Sequence, residues 1–256
     1  MILNCIELGD GPPVVLLHGL FGSARNWGAI QRALAPRFRV MALDMRNHGA
    51  SPHAPGMCYA TLADDVLETL TALAALPGAI VGHSMGGKAA MALALRQPDA
   101  VGRLLVSDIA PVGYHHGNTA IAAALLALPL TPGLTRVQAS GILQAAVPDP
   151  GVRAFLLQNL TLGRDPSWRI GLAEIAGAIP DLEGWDEPAP RTYTGPTLFV
   201  TGLKSDYVRP EHRSGIRARF PASRFVAVKG AGHWVHADNP AGFLSVMEAF
   251  LHDWSA

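Results

Sequence analysis

Cysteine is nearly missing from this sequence: Cys5 and Cys58 are the only two in 256 residues. Two thiols cannot build a disulfide framework in a chain of this length, so a reducing compartment is expected. An excess of either charge is missing too, since 20 basic residues balance 20 acidic ones. No basic run or tail stands out, which argues against nucleic acid and an anionic membrane as partners. The start, Met1-Ile2-Leu3-Asn4-Cys5, lacks the basic and apolar regions of a secretion signal. The apolar run at 119–130 is too short to cross a bilayer, and Pro129 and Pro132 close it. A cytoplasmic globular protein is the expectation.

Apolar side chains are abundant by contrast. Hydrophobic residues make up 49% and charged residues 16%, enough for a sizeable core. The length fits one large α/β domain. Short apolar runs at 14–17, 39–43, 79–82, 104–108, 197–201 and 224–228 read as strands, and Cys5 sits in a further strand-like stretch. Continuous apolar runs suit strands covered by helices on both faces. Between them lie helical patterns such as 61–76, where Leu62, Val66, Leu67, Leu70 and Leu73 repeat at helical spacing. Thr61 reads as its N-cap and Pro77-Gly78 as its end. The succession predicts an α/β fold with a mostly parallel, doubly wound sheet.

The stretch from 112 to 195 differs. It is rich in Ala and Leu, broken by prolines that include Pro148, Pro166, Pro180, Pro188 and Pro190, and shows no strand pattern. It reads as a helical cap inserted between two strands of a core formed by 1–111 and 196–256. No repeat or low-complexity linker is present.

The chemistry concentrates at Gly82-His83-Ser84-Met85-Gly86-Gly87-Lys88, where G-x-S-x-G follows an apolar strand and precedes an Ala-rich helix. Turning from strand to helix within a few residues strains the serine backbone, which small neighbours tolerate. The turn lifts the Ser84 hydroxyl above the sheet and aims the helix amides at a developing oxyanion. The same residues partly fit a phosphate loop, G-x-x-x-x-G-K, but position 89 is Ala and the Mg²⁺-binding hydroxyl is missing. Lys88 is expected on the helix, facing solvent or a carboxylate.

Upstream, strand 14–17 runs into His18-Gly19-Leu20-Phe21-Gly22. That turn can present a backbone N–H to the point served by the amide after Ser84. Met85 and Leu20 are the expected donors, with Phe21 the near alternative. His18 comes too early in chain order for a base and reads as a tie within the loop. Near the end, Gly232-His233-Trp234 follows the last strand, where this arrangement puts its base. His236, three residues on, is a second candidate and makes a metal-like His-x-x-His, yet no zincin Glu accompanies it. His115, His116 and His252 read as loop or surface residues. Two carboxylates satisfy the order Ser, acid, His: Asp108 and Asp206, each after a strand. Spacing alone leaves both open.

Together these stretches resemble the α/β-hydrolase superfamily, and within it the bacterial acyl-CoA esterases and abhydrolase-11-type hydrolases. The resemblance rests also on Asp44-Met45-Arg46-Asn47-His48-Gly49, Asp108-Ile109-Ala110-Pro111 and Gly232-His233-Trp234-Val235-His236-Ala237, and more loosely on Phe155-Leu156-Leu157 and Trp168-Arg169. It implies a serine hydrolase of carboxylic esters or thioesters, with small-molecule substrates and neither metal nor organic cofactor. It implies an acidic residue at Asp108 that can serve the triad, and a serine at Ser205 in its hydrogen-bond network. The additional Asp206 departs from that pattern and keeps both acids in play. C–C bond hydrolysis and cofactor-free haloperoxidation use the same triad, and a non-catalytic binding role is the remaining alternative.

Overall fold

Strand β2 (Pro13–Leu17) shows how the layers arise, for every one of its residues is buried. Side chains alternate across a strand. Val15 and Leu17 enter the cluster holding Leu62, Val66 and Met91, while Val14 and Leu16 enter the one holding Trp27, Ile30 and Phe243. Each fully buried Val or Leu stabilises the fold by about 1.5–3 kcal/mol relative to exposure. A strand apolar on both faces needs a helical layer on each side.

The computed structural model describes residues 1–114, 117–185 and 191–255. His115, His116, Pro188 and Pro190, singled out in the sequence, lie outside the described residues. Besides β2, the main sheet contains β1 (Cys5–Leu8), β3 (Arg39–Leu43), β4 (Gly78–His83), β5 (Val101–Ser107), β8 (Thr197–Gly202) and β9 (Ser223–Val228). Their spatial order is β1-β3-β2-β4-β5-β8-β9. β1 pairs antiparallel with β3, and every other pairing in this sheet is parallel. The helices of the core are α1 (Gly28–Leu34), α2 (Tyr59–Ala72), α3 (Met85–Arg96), α8 (His212–Arg219), α9 (Val235–Asp238) and α10 (Pro240–Phe250).

Helix α2 starts and stops earlier than its pattern suggests. Its N-cap is Cys58, whose extended backbone ends the preceding loop, so Thr61 falls inside the first turn. It closes at Leu73 because Ala74 takes φ +50, a left-handed conformation that no helix continues through.

Between β5 and its parallel neighbour β8 the chain makes a long excursion. It holds α4 (Asn118–Leu126), α5 (Arg136–Leu143), α6 (Pro150–Leu156) and α7 (Leu172–Glu183), with α4 against α7 and α5 against α6. The expectation of no strand there needs a correction, since Leu160–Thr161 (β6) and Ser167–Trp168 (β7) pair antiparallel. Two-residue strands carry no readable alternation. Among the described residues no helix is long and apolar enough to cross a membrane.

Candidate active site

The carboxyl ends of β2, β4, β5, β8 and β9 all face one region, and each contributes to it. At the end of β4, Ser84 adopts φ 52 and ψ −118, outside the regions an L-residue prefers. Glycine on either side makes this turn possible. A Cβ on Gly82 would run into the Gly86 carbonyl, and one on Gly86 would lie 2.6 Å from the His18 carbonyl oxygen. The turn is held by Ser84 N–H donating to Ser107 O at 3.0 Å and Lys88 N–H donating to Ser84 O at 3.0 Å. Helix α3 begins at once with Met85, the N-terminus of twelve helical residues.

His233, on the loop after β9, brings its Nε2 to 3.1 Å from Ser84 Oγ. Its Nδ1 lies 2.8 Å from Asp108 Oδ2, so the ring donates to the carboxylate and accepts from the hydroxyl. Asp108 stands just past the end of β5 with φ 54 and is fully buried. Its Oδ1 accepts from Gly202 N–H at 3.2 Å and its Oδ2 from Ser205 Oγ–H at 2.5 Å. Burial outweighs the Ser205 and Gly202 donors, which pull the other way, and leaves this carboxyl raised to about 7.

Asp206 is not brought to the imidazole. Its side chain is 76% exposed, with Oδ2 3.4 Å from the Arg209 guanidinium. The loop after β8 turns Ser205 inward and Asp206 outward, so only the serine reaches Asp108.

Of the three amides considered for the oxyanion, Phe21 N–H donates to His48 Nε2 at 3.1 Å and is engaged already. Leu20 remains on that loop and, like Met85 at the start of α3, lines the cavity in front of Ser84. His18 does tie the loop: Nδ1–H donates to Gly19 O at 2.8 Å, and Nε2 accepts from Met45 N–H at 2.9 Å. His48 mirrors it from the neighbouring loop, donating from Nδ1 to Arg46 O at 2.8 Å. Acceptor Nε2 atoms require neutral rings, and burial lowers both His18 and His48, His48 to about 3.

Three further residues surround His233: His83 and Tyr207, which the sequence reading passes over, and His236, which it weighs and sets aside. His83, buried and lowered to about 3, donates Nε2–H to the His233 carbonyl at 2.9 Å. Tyr207 stacks on the His233 ring with centroids 3.7 Å apart. His236 stacks on Trp27 at 4.4 Å. Long-range ring contacts of this kind leave no trace in local composition.

Lys88 lies on α3 as expected, and of the two surroundings expected for it, solvent needs a correction. It is almost completely buried rather than facing solvent. Its ammonium donates to the carbonyls of Gly184 at 2.6 Å and Glu183 at 3.2 Å, where α7 ends, and lies over the rings of Tyr59 and Tyr114. A helix C-terminus and two aromatic faces are each favourable for a cation.

Ser84, His233, Leu20 and Met85 open onto a cavity of about 700 Å³. Ile121, Val152, Phe155, Leu156 and Leu182 of the segment between β5 and β8 line its other side. A family model described as the alpha/beta hydrolase fold matches residues 12–240. The chain belongs to the α/β-hydrolase fold family. Among its relatives in that family, the sn-1-specific diacylglycerol lipase ABHD11 of Mus musculus is 41% identical over 249 residues, covering 94% of this chain and 81% of the mouse protein. Esterase YbfF of Escherichia coli is 39% identical, covering 95% and 94%. A solved α/β-hydrolase structure described as a marine microorganism esterase superposes with a TM-score of 0.94 at 34% identity, covering 98% of this chain and 100% of that one.

Proposed function

We propose that this α/β-hydrolase is a serine esterase that cleaves small carboxylic esters or thioesters through an acyl-enzyme on Ser84. The observation that carries the reading is the unbroken line Ser84 Oγ, His233, Asp108 at 3.1 and 2.8 Å, opening onto a mainly apolar cavity. The esterase and lipase relatives support esters as the substrate class.

His233 Nε2 takes the Ser84 proton as Oγ attacks the acyl carbonyl, and Asp108 holds the imidazole tautomer and stabilises the imidazolium. The carbonyl electron pair moves onto oxygen, where Leu20 and Met85 N–H groups receive it. Donors fixed beforehand contribute about 2.7–4 kcal/mol each to such a step. As the C–O or C–S bond breaks, His233 returns the proton to the alcohol or thiol. Water then attacks the acyl-enzyme with His233 again as base, releasing the acid and restoring Ser84. Residues 112–195 serve as a cap, their apolar side chains holding the acyl group.

The test is hydrolysis of short-chain p-nitrophenyl esters and labelling by a fluorophosphonate, with wild type beside Ser84→Ala. Turnover and labelling that both vanish in the variant are expected. Wild-type protein that neither turns over any ester nor takes the label would end the reading. Because the mouse relative is named for diacylglycerol, acylglycerols and acyl thioesters belong in the panel.

A further inference from the structure

We propose that Asn159, from the segment between β5 and β8, is a positioning residue of the oxyanion hole, acting through a line of peptide groups that ends at Leu20 N–H. The proposal rests on the acyl-transfer reading above.

Asn159 is buried, 6% exposed. Its Nδ2 donates to Phe21 O at 2.7 Å and to Leu156 O at 3.3 Å. Two carbonyl acceptors fix the amide orientation, since the flipped form would set Oδ1 against two oxygens. The Phe21 carbonyl shares its peptide with Gly22 N–H, which donates to Gly19 O at 2.9 Å. The Gly19 carbonyl in turn shares its peptide with Leu20 N–H. Hydrogen bonds therefore run in one direction from the Asn159 amide, through two peptide groups, to the donor expected to meet the oxyanion. Each peptide accepts at oxygen and donates at nitrogen, so polarisation accumulates, by about 10–30% per bond.

Position is controlled along with polarity. Phe21 sits at φ 60, a conformation costly for a residue with a Cβ. The peptide before its Cα is held by His48 through Phe21 N–H, and the peptide after it by Asn159 through Phe21 O. Without Asn159, one side of a strained residue is released and the Phe21 carbonyl loses a buried partner. Relaxation there turns Gly22 N–H off Gly19 O, leaving the peptide that carries Leu20 N–H held by His18 Nδ1–H alone, one of its two donors. Asn159 is itself anchored, its carbonyl accepting from Arg169 N–H at 2.9 Å. The segment between β5 and β8 thus completes the oxyanion hole as well as walling the cavity.

An oxyanion forms only after substrate binds, so the effect belongs in kcat and not in KM. Asn159→Ala and the near-isosteric Asn159→Leu, with circular dichroism verifying the fold, are compared with wild type on p-nitrophenyl butyrate. Losing a whole donor costs about 10²–10³ in kcat. Loss of its positioning should cost about 10–100-fold, with KM held within about threefold. A trifluoromethyl ketone, which forms a tetrahedral adduct on serine, should bind more weakly by the same factor as kcat falls. A folded variant with wild-type kcat overturns the proposal, and so does a loss confined to KM. If neither variant folds, Asn159 is a folding residue and the proposal is equally overturned. Wild type without Ser84-dependent turnover would instead remove the acyl-transfer reading itself.

Discussion

Asp108 Oδ2 and His233 Nδ1 lie 2.8 Å apart although 125 residues separate them in the chain. The carboxylate stands past one strand and the imidazole on the loop after another, so the pair exists only when β5, β8 and β9 assemble in register. With Asp108 as the orienter, Asp108→Asn should cut kcat by about 10⁴-fold, the scale found for the serine-protease triad. Asp206→Asn should leave kcat within about threefold, because that side chain is exposed beside Arg209. Steady-state kinetics of the two variants decide between the carboxylates. Equal losses would refute the assignment.

Ser205 tunes the same carboxylate. Its hydroxyl donates to Asp108 Oδ2, and this bond opposes burial, which still leaves the carboxyl raised to about 7. Activity should fall as the pH drops through neutrality, since Asp108 must stay ionised to hold the imidazole. Ser205→Ala removes the donor, so the acid limb should move to higher pH and kcat at pH 7 should drop by about tenfold. Asp206→Asn removes a negative charge that raises Asp108, so its limb should shift slightly the other way. A pH–rate profile for each variant reads both signs.

Stability should decline steeply in acid. His48 and His83 are held at about 3, and His18 and His236 are also lowered by burial. Below an unfolded value near 6.5 the unfolded chain takes up protons that these folded rings refuse, and their contribution is lost as the pH falls toward 3. Asp108 works in the opposite sense: it is raised, so its contribution is present below about 3.8 and lost as the pH rises through 7. Each group contributes a slope of at most ~1.4 kcal/mol per pH unit. Four histidines outweigh one carboxyl. Urea midpoints at pH 7.5, 6.0 and 5.0 should fall in that order, and a flat series would contradict the neutral tautomers.

Arg46 anchors the loop that carries His48. Its Nε and Nη2 donate to the two Asp65 oxygens at 2.7 and 2.9 Å, a bidentate pair around a carboxylate 2% exposed. Arg46→Ala leaves that buried charge short of its main partner and should cost about 3–5 kcal/mol by denaturant unfolding. Arg46→Lys should recover only part of it, because an ammonium cannot reproduce the fork. Full recovery by lysine would mean that charge alone matters there.

Much of the architecture and half of the candidate site could be read without coordinates, for a physical reason. A strand apolar on both faces, a glycine-flanked turn and a histidine on a loop after the last strand are local patterns, each imposed by backbone sterics or burial on its own few residues. They place Ser84 and His233, and they imply the parallel sheet. Whatever depended on loop direction could not be read. Asp108 and Asp206 follow strands equally well in the sequence, and the inward turn at Asp108 and outward turn at Asp206 arise only when β5 and β8 lie side by side. Lys88 looks like a helix-surface lysine until α7 folds over it and offers carbonyls and aromatic rings. His48 and Asn159 meet Phe21 across 27 and 138 residues, separations at which composition carries no record of contact and only the folded chain decides which groups meet.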